Sequence, residues 1–237
     1  MKPHKFTLLS FSGIDGAGKS SQIDALLSQF DDRGHRFRLY TFWDDVVVLS
    51  RYREHLSLRL FQGERGVGTP DQPIARRDKN VTSWYMVVVR LFLYALDSFH
   101  LSVVVSRAGH DCEFVVFDRY IYDELANLPL ESWLVRAYVR LLLRILPKPD
   151  VAFLLDARPH EAVSRKPEYP LEFVHRNRDA YLAIAEMAGM SVLPPASIAE
   201  TTQSIRAVLA TLKPTAEREA PRGSQAFPAS SAKTPGG

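Results

Sequence analysis

Runs of consecutive apolar residues alternate along the chain with segments in which apolar positions recur every three to four residues. This is the signature of parallel strands, buried on both faces, joined by crossover helices. Residues 6–12 read as a first strand, and residues 19–33 as a helix with Ile23, Leu26, Leu27 and Phe30 on one face, closed by Gly34. Residues 36–43 predict a second strand. Residues 44–61 have mixed, mainly helical character, and residues 62–80 read as a loop because Gly63, Gly66, Gly68, Pro70 and Pro73 fall within it. A long helix is expected over 81–105, a third strand over 113–117, and a helix over 133–146 that Pro147 and Pro149 end. A fourth strand over 151–155, a helix over 171–187, a short strand over 191–193 and a helix over 199–212 follow. The predicted fold is α/β, with a mostly parallel sheet of about five strands and helices on both faces in three layers. Right-handed crossovers and a ligand site at the carboxyl ends of the strands are expected with it.

Composition narrows the class. A chain of 237 residues, 46% hydrophobic and 24% charged, can bury roughly 70% of its unfolded surface, which excludes a disordered chain or a disulfide miniprotein. Thirty Lys and Arg against 27 Asp and Glu leave a charge of +3, too small an excess to point to nucleic acid as a partner. The single cysteine, Cys112, has no partner for an intrachain disulfide, which fits a reducing, cytoplasmic compartment. No targeting signal is expected, because the first apolar run is short and leads into glycines. The stretch 81–105 carries Arg90, Asp97 and His100, so its charge-free pieces fall short of the ~18 residues of a membrane span. From Lys213 onward prolines recur among Ala, Ser and Gly with one aromatic residue, and 213–237 is expected to be a disordered, dispensable tail after a domain of residues 1–212.

The strongest chemical signal is Gly13-Ile14-Asp15-Gly16-Ala17-Gly18-Lys19-Ser20, a full phosphate-loop match between a predicted strand and a predicted helix, which makes the fold a P-loop NTPase. Its glycines let backbone N–H groups converge on phosphate oxygens, and the helix that follows adds its positive end. Lys19 would reach the β- and γ-phosphates of ATP, and the Ser20 hydroxyl would ligate Mg²⁺. A second constellation is the apolar strand that ends in Asp118-Arg119-Tyr120. A strand-end Asp118 beside a phosphate loop suits Mg²⁺, and Arg119 suits the oxygens of a transferring phosphate. Asp156 also ends a strand but reads as structural. The guanine-specific Asn-Lys-x-Asp is missing, since Asp78-Lys79-Asn80 has the wrong order.

On these residues the chain resembles the thymidylate kinase family of nucleoside monophosphate kinases, over about residues 6–212. The resemblance rests on Phe11 to Ser21, on Leu91 to Asp97, on Asp118-Arg119-Tyr120, on Pro149-Asp150 leading into Leu154-Leu155-Asp156, and on Arg176 to Tyr181 after a lid-like segment. It implies phosphoryl transfer from ATP·Mg²⁺ to a nucleoside monophosphate such as dTMP. It further implies that Gly13 to Ser21, with Ala196 and Ser197 near the adenine, bind the nucleotide. Ser20 and Asp118 would then hold the metal, and Lys19, Asp118, Arg119 and Arg165 would act in catalysis. Asp15, Asp44, Asp97 and Arg119 form the expected acceptor side, and the oligomeric state stays open, a homodimer being one alternative.

Departures from the family pattern bear on the acceptor. Gly16 stands where some members carry a loop arginine, so the missing charge is expected from Arg165 and Lys166 in a short lid with two prolines, residues 165–170. Phe42-Trp43-Asp44-Asp45 replaces the usual Arg and Pro-Gly-Gly-Thr, and Ser98 replaces an acceptor-binding Arg. These losses predict that dTMP is a poor substrate and that the acceptor presents hydroxyls to Asp44 or Asp45, a solvated turn being the alternative for the two carboxylates. A kinase of a sugar derivative and a nucleotide-binding switch without transfer remain the other readings. Arg136, Arg140 and Arg144 make a basic stripe that suits an anionic membrane surface, or simply a solvated helix face. The seven histidines show no pair at metal-ligand spacing.

Overall fold

The computed structural model describes residues 6–47, 84–108 and 112–212. Five strands form one sheet: β1 (Thr7–Ser12), β2 (Phe37–Thr41), β3 (Phe114–Asp118), β4 (Val151–Leu155) and β5 (Ser191–Leu193). Their order is β2-β3-β1-β4-β5 and all four pairings are parallel. β1 lies at the centre, with Leu9 opposite Val116 on one side and Val151 on the other. Its six residues are all buried, as the continuous apolar run requires of a strand covered on both faces.

Alternation along the strands splits the core in two. Leu8, Val115, Phe117 and Leu154 pack on one face against α2 (Trp84–Ala108), α4 (Trp133–Ile145) and α6 (Leu171–Ala188). Leu9, Phe11, Val116 and Phe153 point to the other, where α1 (Lys19–Asp32) and α7 (Ile198–Ala210) supply Ile23, Leu26, Phe30 and Ile205. Helices therefore cover both faces, as expected, in three layers.

Several boundaries depart from the sequence reading. β2 ends at Thr41, and Phe42–Val46 form one wide turn of π-helix. The Asp45 carboxylate accepts the Thr41 N–H at 2.7 Å and so closes that turn. Two short helices were not anticipated, α3 (Ile121–Leu125) and α5 (Pro159–Arg165). Residues 48–61, the loop at 62–80 and the tail at 213–237 lie outside the described residues. One helix, Val87–Ala108, is long and apolar enough to cross a membrane by length and composition. Tyr94, Asp97, Ser98, Leu101, Val105 and Ala108 are buried along it at the spacing of an inward stripe, whereas Val88, Val89, Phe92, Leu96 and Phe99 are exposed.

Candidate active site

The phosphate loop leaves β1 at Ser12 and enters α1 at Lys19. Gly13, Gly16 and Gly18 have φ of +144°, +83° and +87°, a region that L side chains rarely adopt. A Cβ on Gly13 would stand 2.5 Å from the Leu155 carbonyl oxygen, and one on Gly16 would stand 2.5 Å from that of Ala162. The loop is thus pressed between the end of β4 and α5. Ser20 and Ser21 are exposed in the first turn of α1, which holds no acidic residue and no side-chain cap. Its N–H groups and positive end remain open to an anion.

Lys19 is buried, and its Nζ donates to the carbonyls of Gly13 at 2.8 Å and Ile14 at 3.0 Å. Burial lowers its pKa to about 8, and the Arg119 charge pushes the same way, while Asp123, Asp15 and Asp118 offset part of the loss. A phosphate in the loop would restore the charge that burial makes unfavourable.

β3 brings Asp118 and Arg119 beside this loop, because Phe11 pairs with Asp118 in register and the Arg119 N–H donates to the Phe11 carbonyl at 2.9 Å. Arg119 has φ +66°, strained for a non-glycine residue and of the kind that clusters at functional sites. Its guanidinium donates to Asp15 in the loop and to Asp123 Oδ1 at 3.1 Å. Asp123 was not foreseen. Only 3% exposed, it accepts from the Ser12 hydroxyl at 2.6 Å, the Tyr181 hydroxyl at 2.7 Å and the Tyr120 N–H at 3.2 Å as well. The signal was present in the sequence as an Arg and an Asp four residues apart after a strand. Desolvation raises the Asp118 pKa from its ordinary value, against the pull of Arg119 and Lys19.

Arg165, the cation expected in the lid, ends α5. The Arg165 guanidinium donates to the Gly16 carbonyl at 2.9 Å and to Glu161 at 3.2 Å, and it is exposed. Lys166 pairs with Glu168 at 3.2 Å. Asp156 is held by Arg178 of α6 through two bonds of 2.6 and 2.7 Å. The remaining candidates are dispersed. Asp44 is exposed in the π-turn that follows β2. Asp97 is fully buried in α2, where its charge adds to the burial that pushes the Tyr138 phenol up to about 12. Ser98, also buried, spends its hydroxyl on the Tyr94 carbonyl at 2.6 Å. Ala196 is exposed, and Ser197 caps α7 by a reciprocal exchange with Glu200. Gln22 links that cap to α1 through the Ile198 carbonyl at 3.0 Å and the Thr202 hydroxyl at 2.9 Å.

The donor set suits Mg²⁺. Ser20 offers an exposed hydroxyl, and Asp118 offers a carboxylate whose ionised form is disfavoured by burial and would be favoured by a hard cation.

Comparisons with known proteins bear on the family and the fold. No family model matches the chain. The "Probable thymidylate kinase" of Thermococcus kodakarensis is 30% identical over 189 residues, covering 74% of this chain and 82% of the relative. The "Thymidylate kinase" of Chlorobaculum parvum is 24% identical over 229 residues, covering 87% and 95%. In fold, the chain is similar to the thymidylate kinase of Candida albicans, with a TM-score of 0.60 at 17% identity over 89% of this chain and 93% of that one. It is similar also to that of Ehrlichia chaffeensis, with a TM-score of 0.55 at 18% identity, covering 88% and 100%.

Proposed function

Since the chain belongs to the thymidylate kinase family and is a P-loop kinase, we propose that it transfers the γ-phosphate of ATP to a nucleoside monophosphate, dTMP first among them. The observation that carries this reading is the line of cations along the phosphate loop: Lys19 beneath it, Arg119 tied to it through Asp15, and Arg165 on the Gly16 carbonyl. Phosphoryl transfer asks little covalent work of a protein and much positioning of positive charge.

In the proposed reaction the N–H groups of residues 13–21 cradle the β- and γ-phosphates, and Lys19 exchanges its loop carbonyls for phosphate oxygens. Arg119, oriented by Asp15 and Asp123, faces the acceptor phosphate and the transferring group. Arg165 turns from Glu161 to the charge that develops on the γ-phosphoryl oxygens, standing in for a cation that Gly16 does not supply. Ser20 and Asp118 hold Mg²⁺, which when bound neutralises charge on the phosphate oxygens. The catalytic domain in this proposal comprises residues 1–212.

The Thr41 N–H takes one oxygen of the Asp45 carboxylate, which ties Asp45 to the π-turn without choosing between a nucleotide and a hydroxyl acceptor. Asp44 retains the capacity to take a sugar hydroxyl. Coupled ADP-release kinetics with ATP·Mg²⁺ and dTMP, other nucleoside monophosphates or sugars decide among them. The altered acceptor residues predict a poor dTMP substrate, but membership of the family favours the opposite, and a kcat/KM for dTMP above roughly 10⁴ M⁻¹s⁻¹, in the ordinary enzyme range, is expected. ADP release that needs a sugar, or no acceptor at all, would overturn the reading.

A further inference from the structure

One surface plays no part in phosphoryl transfer. α4 turns Trp133, Leu134, Leu141 and Ile145 outward, at exposures of 73%, 61%, 57% and 62%, while Val135, Val139 and Leu142 anchor it to the core. Isolated exposed apolar residues need no explanation, but four large ones on one 13-residue helix do. Beside them run Arg136, Arg140 and Arg144, and one step further lies Lys148. No acidic residue occurs between positions 132 and 149. Among the described residues none of these four cations forms a hydrogen bond or an ion pair.

The basic edge borders a cavity of about 250 Å³, into which Arg140, Arg144 and Lys148 bring charge and Tyr122, Met187 and Ala188 bring largely apolar wall. A phosphate group needs the room of only a few water molecules at roughly 30 Å³ each, so the space suffices with part of a glycerol attached. The Lys148 ammonium stands at the end of α6, near Gly189, where it also meets the negative end of a helix. The cavity shares no residue with the phosphate loop: Lys148 precedes β4 and Ala188 precedes β5, although Tyr122, next to Asp123 after β3, also lines it.

We propose that α4 docks the protein on the surface of an anionic phospholipid bilayer, with one lipid phosphate held in the cavity by Arg140, Arg144 and Lys148. Trp133, Leu134, Leu141 and Ile145 enter the boundary between headgroups and acyl chains, where an indole and branched aliphatics are favourably placed. The arginines meet the lipid phosphates, with bidentate geometry available to each. The pairing of unneutralised cations with apolar side chains on one exposed face is what selects an anionic bilayer, since a wholly polar partner would leave the apolar half wet and a neutral one would leave the charges unpaired.

Flotation of the full chain with vesicles tests this, using phosphatidylcholine alone and an equal mixture with phosphatidylglycerol, at low and high salt. Binding to the mixed vesicles alone is expected, weakened by salt. The triple variant R136Q/R140Q/R144Q should lower the partition coefficient on the order of 100-fold, at about 1 kcal/mol for each charge. The variant L141Q/I145Q should weaken binding that high salt leaves behind. Both should keep the turnover of the parent, which shows that they are folded. Equal binding to neutral vesicles, or none to either, overturns the proposal. So does concentration-dependent self-association that L141Q/I145Q abolishes without any vesicle binding, or binding of soluble glycerol phosphate with the same arginine dependence in a protein that ignores vesicles.

Discussion

Asp123 joins the two halves of the active site through one carboxylate. It takes hydrogen bonds from Ser12 of β1, from Tyr120 and Arg119 beyond β3, and from Tyr181 of α6. Buried carboxylates survive only when such donors replace water. Asp123→Ala would leave a guanidinium and two hydroxyls without their acceptor, and it should cost about 3–5 kcal/mol in a denaturant titration. Asp123→Asn keeps the shape and one acceptor oxygen and should cost less, yet lower kcat, because Arg119 would lose the negative charge of one of its two partners. Lys19 makes the opposite case, since desolvation sets its pKa near 8. Folding therefore releases its proton between about pH 8 and its ordinary 10.5, and its contribution to stability rises with pH across that window. Lys19→Met should then leave the melting temperature unchanged or higher while turnover falls at least ~10³-fold. ATP binding runs the other way: the phosphates draw a proton back onto Lys19. Near pH 8.5, calorimetry in buffers of different ionisation enthalpy should show proton uptake, and affinity should decline as pH rises further.

Whole elements were legible where length and burial gave the sequence a strong period. β1, β3 and β4 stood out because a strand buried on both faces must be continuously apolar, and α1, α6 and α7 because each spans at least 13 residues with an inward stripe. α3 and α5, of five and seven residues, are too short to display a helical period, and both matter to the site. α3 holds Asp123, and α5 presses on the phosphate loop. Gly16 was readable as a missing cation, but the reason lies in packing: the Ala162 carbonyl occupies the place of its side chain. Arg165, from the same short helix, reaches back to the Gly16 carbonyl. Supplying the charge in the loop should thus fail here. Gly16→Arg combined with Arg165→Ala is expected to lose ATP affinity rather than recover turnover, because Cβ meets backbone and φ is +83°. Arg165→Ala alone should reduce kcat with little change in the KM for ATP. Recovery of turnover in the double variant would show that α5 yields.

At the scale of the molecule, the direction of the sheet separates two kinds of anion chemistry. Every strand runs the same way, so the loops that bind ligand gather at one end, as parallel α/β sheets require. The cavity edged by Arg140, Arg144 and Lys148 lies beside the entries to β4 and β5, with Tyr122, the neighbour of Asp123 in α3, also in its wall. It shares no residue with the phosphate loop or with the lid at 165–170. A net charge of only +3 gives no general attraction to polyanions, and positive charge acts locally at each place. The two sites should therefore work without competing. Saturating ATP·Mg²⁺ is expected neither to release the protein from phosphatidylglycerol vesicles nor to change the salt at which half is released. Bound vesicles should leave the KM for ATP within about twofold, the accuracy of a steady-state comparison once both forms bind nucleotide equally. Reciprocity makes the test sharp, since a tenfold loss of vesicle affinity in ATP would demand a tenfold loss of ATP affinity on vesicles. Release by ATP would mean that the triphosphate itself occupies the basic cavity. ADP, AMP and inorganic phosphate, titrated against vesicle binding of Lys19→Met, would then rank by charge in displacing the protein, and the separation of the sites would be refuted.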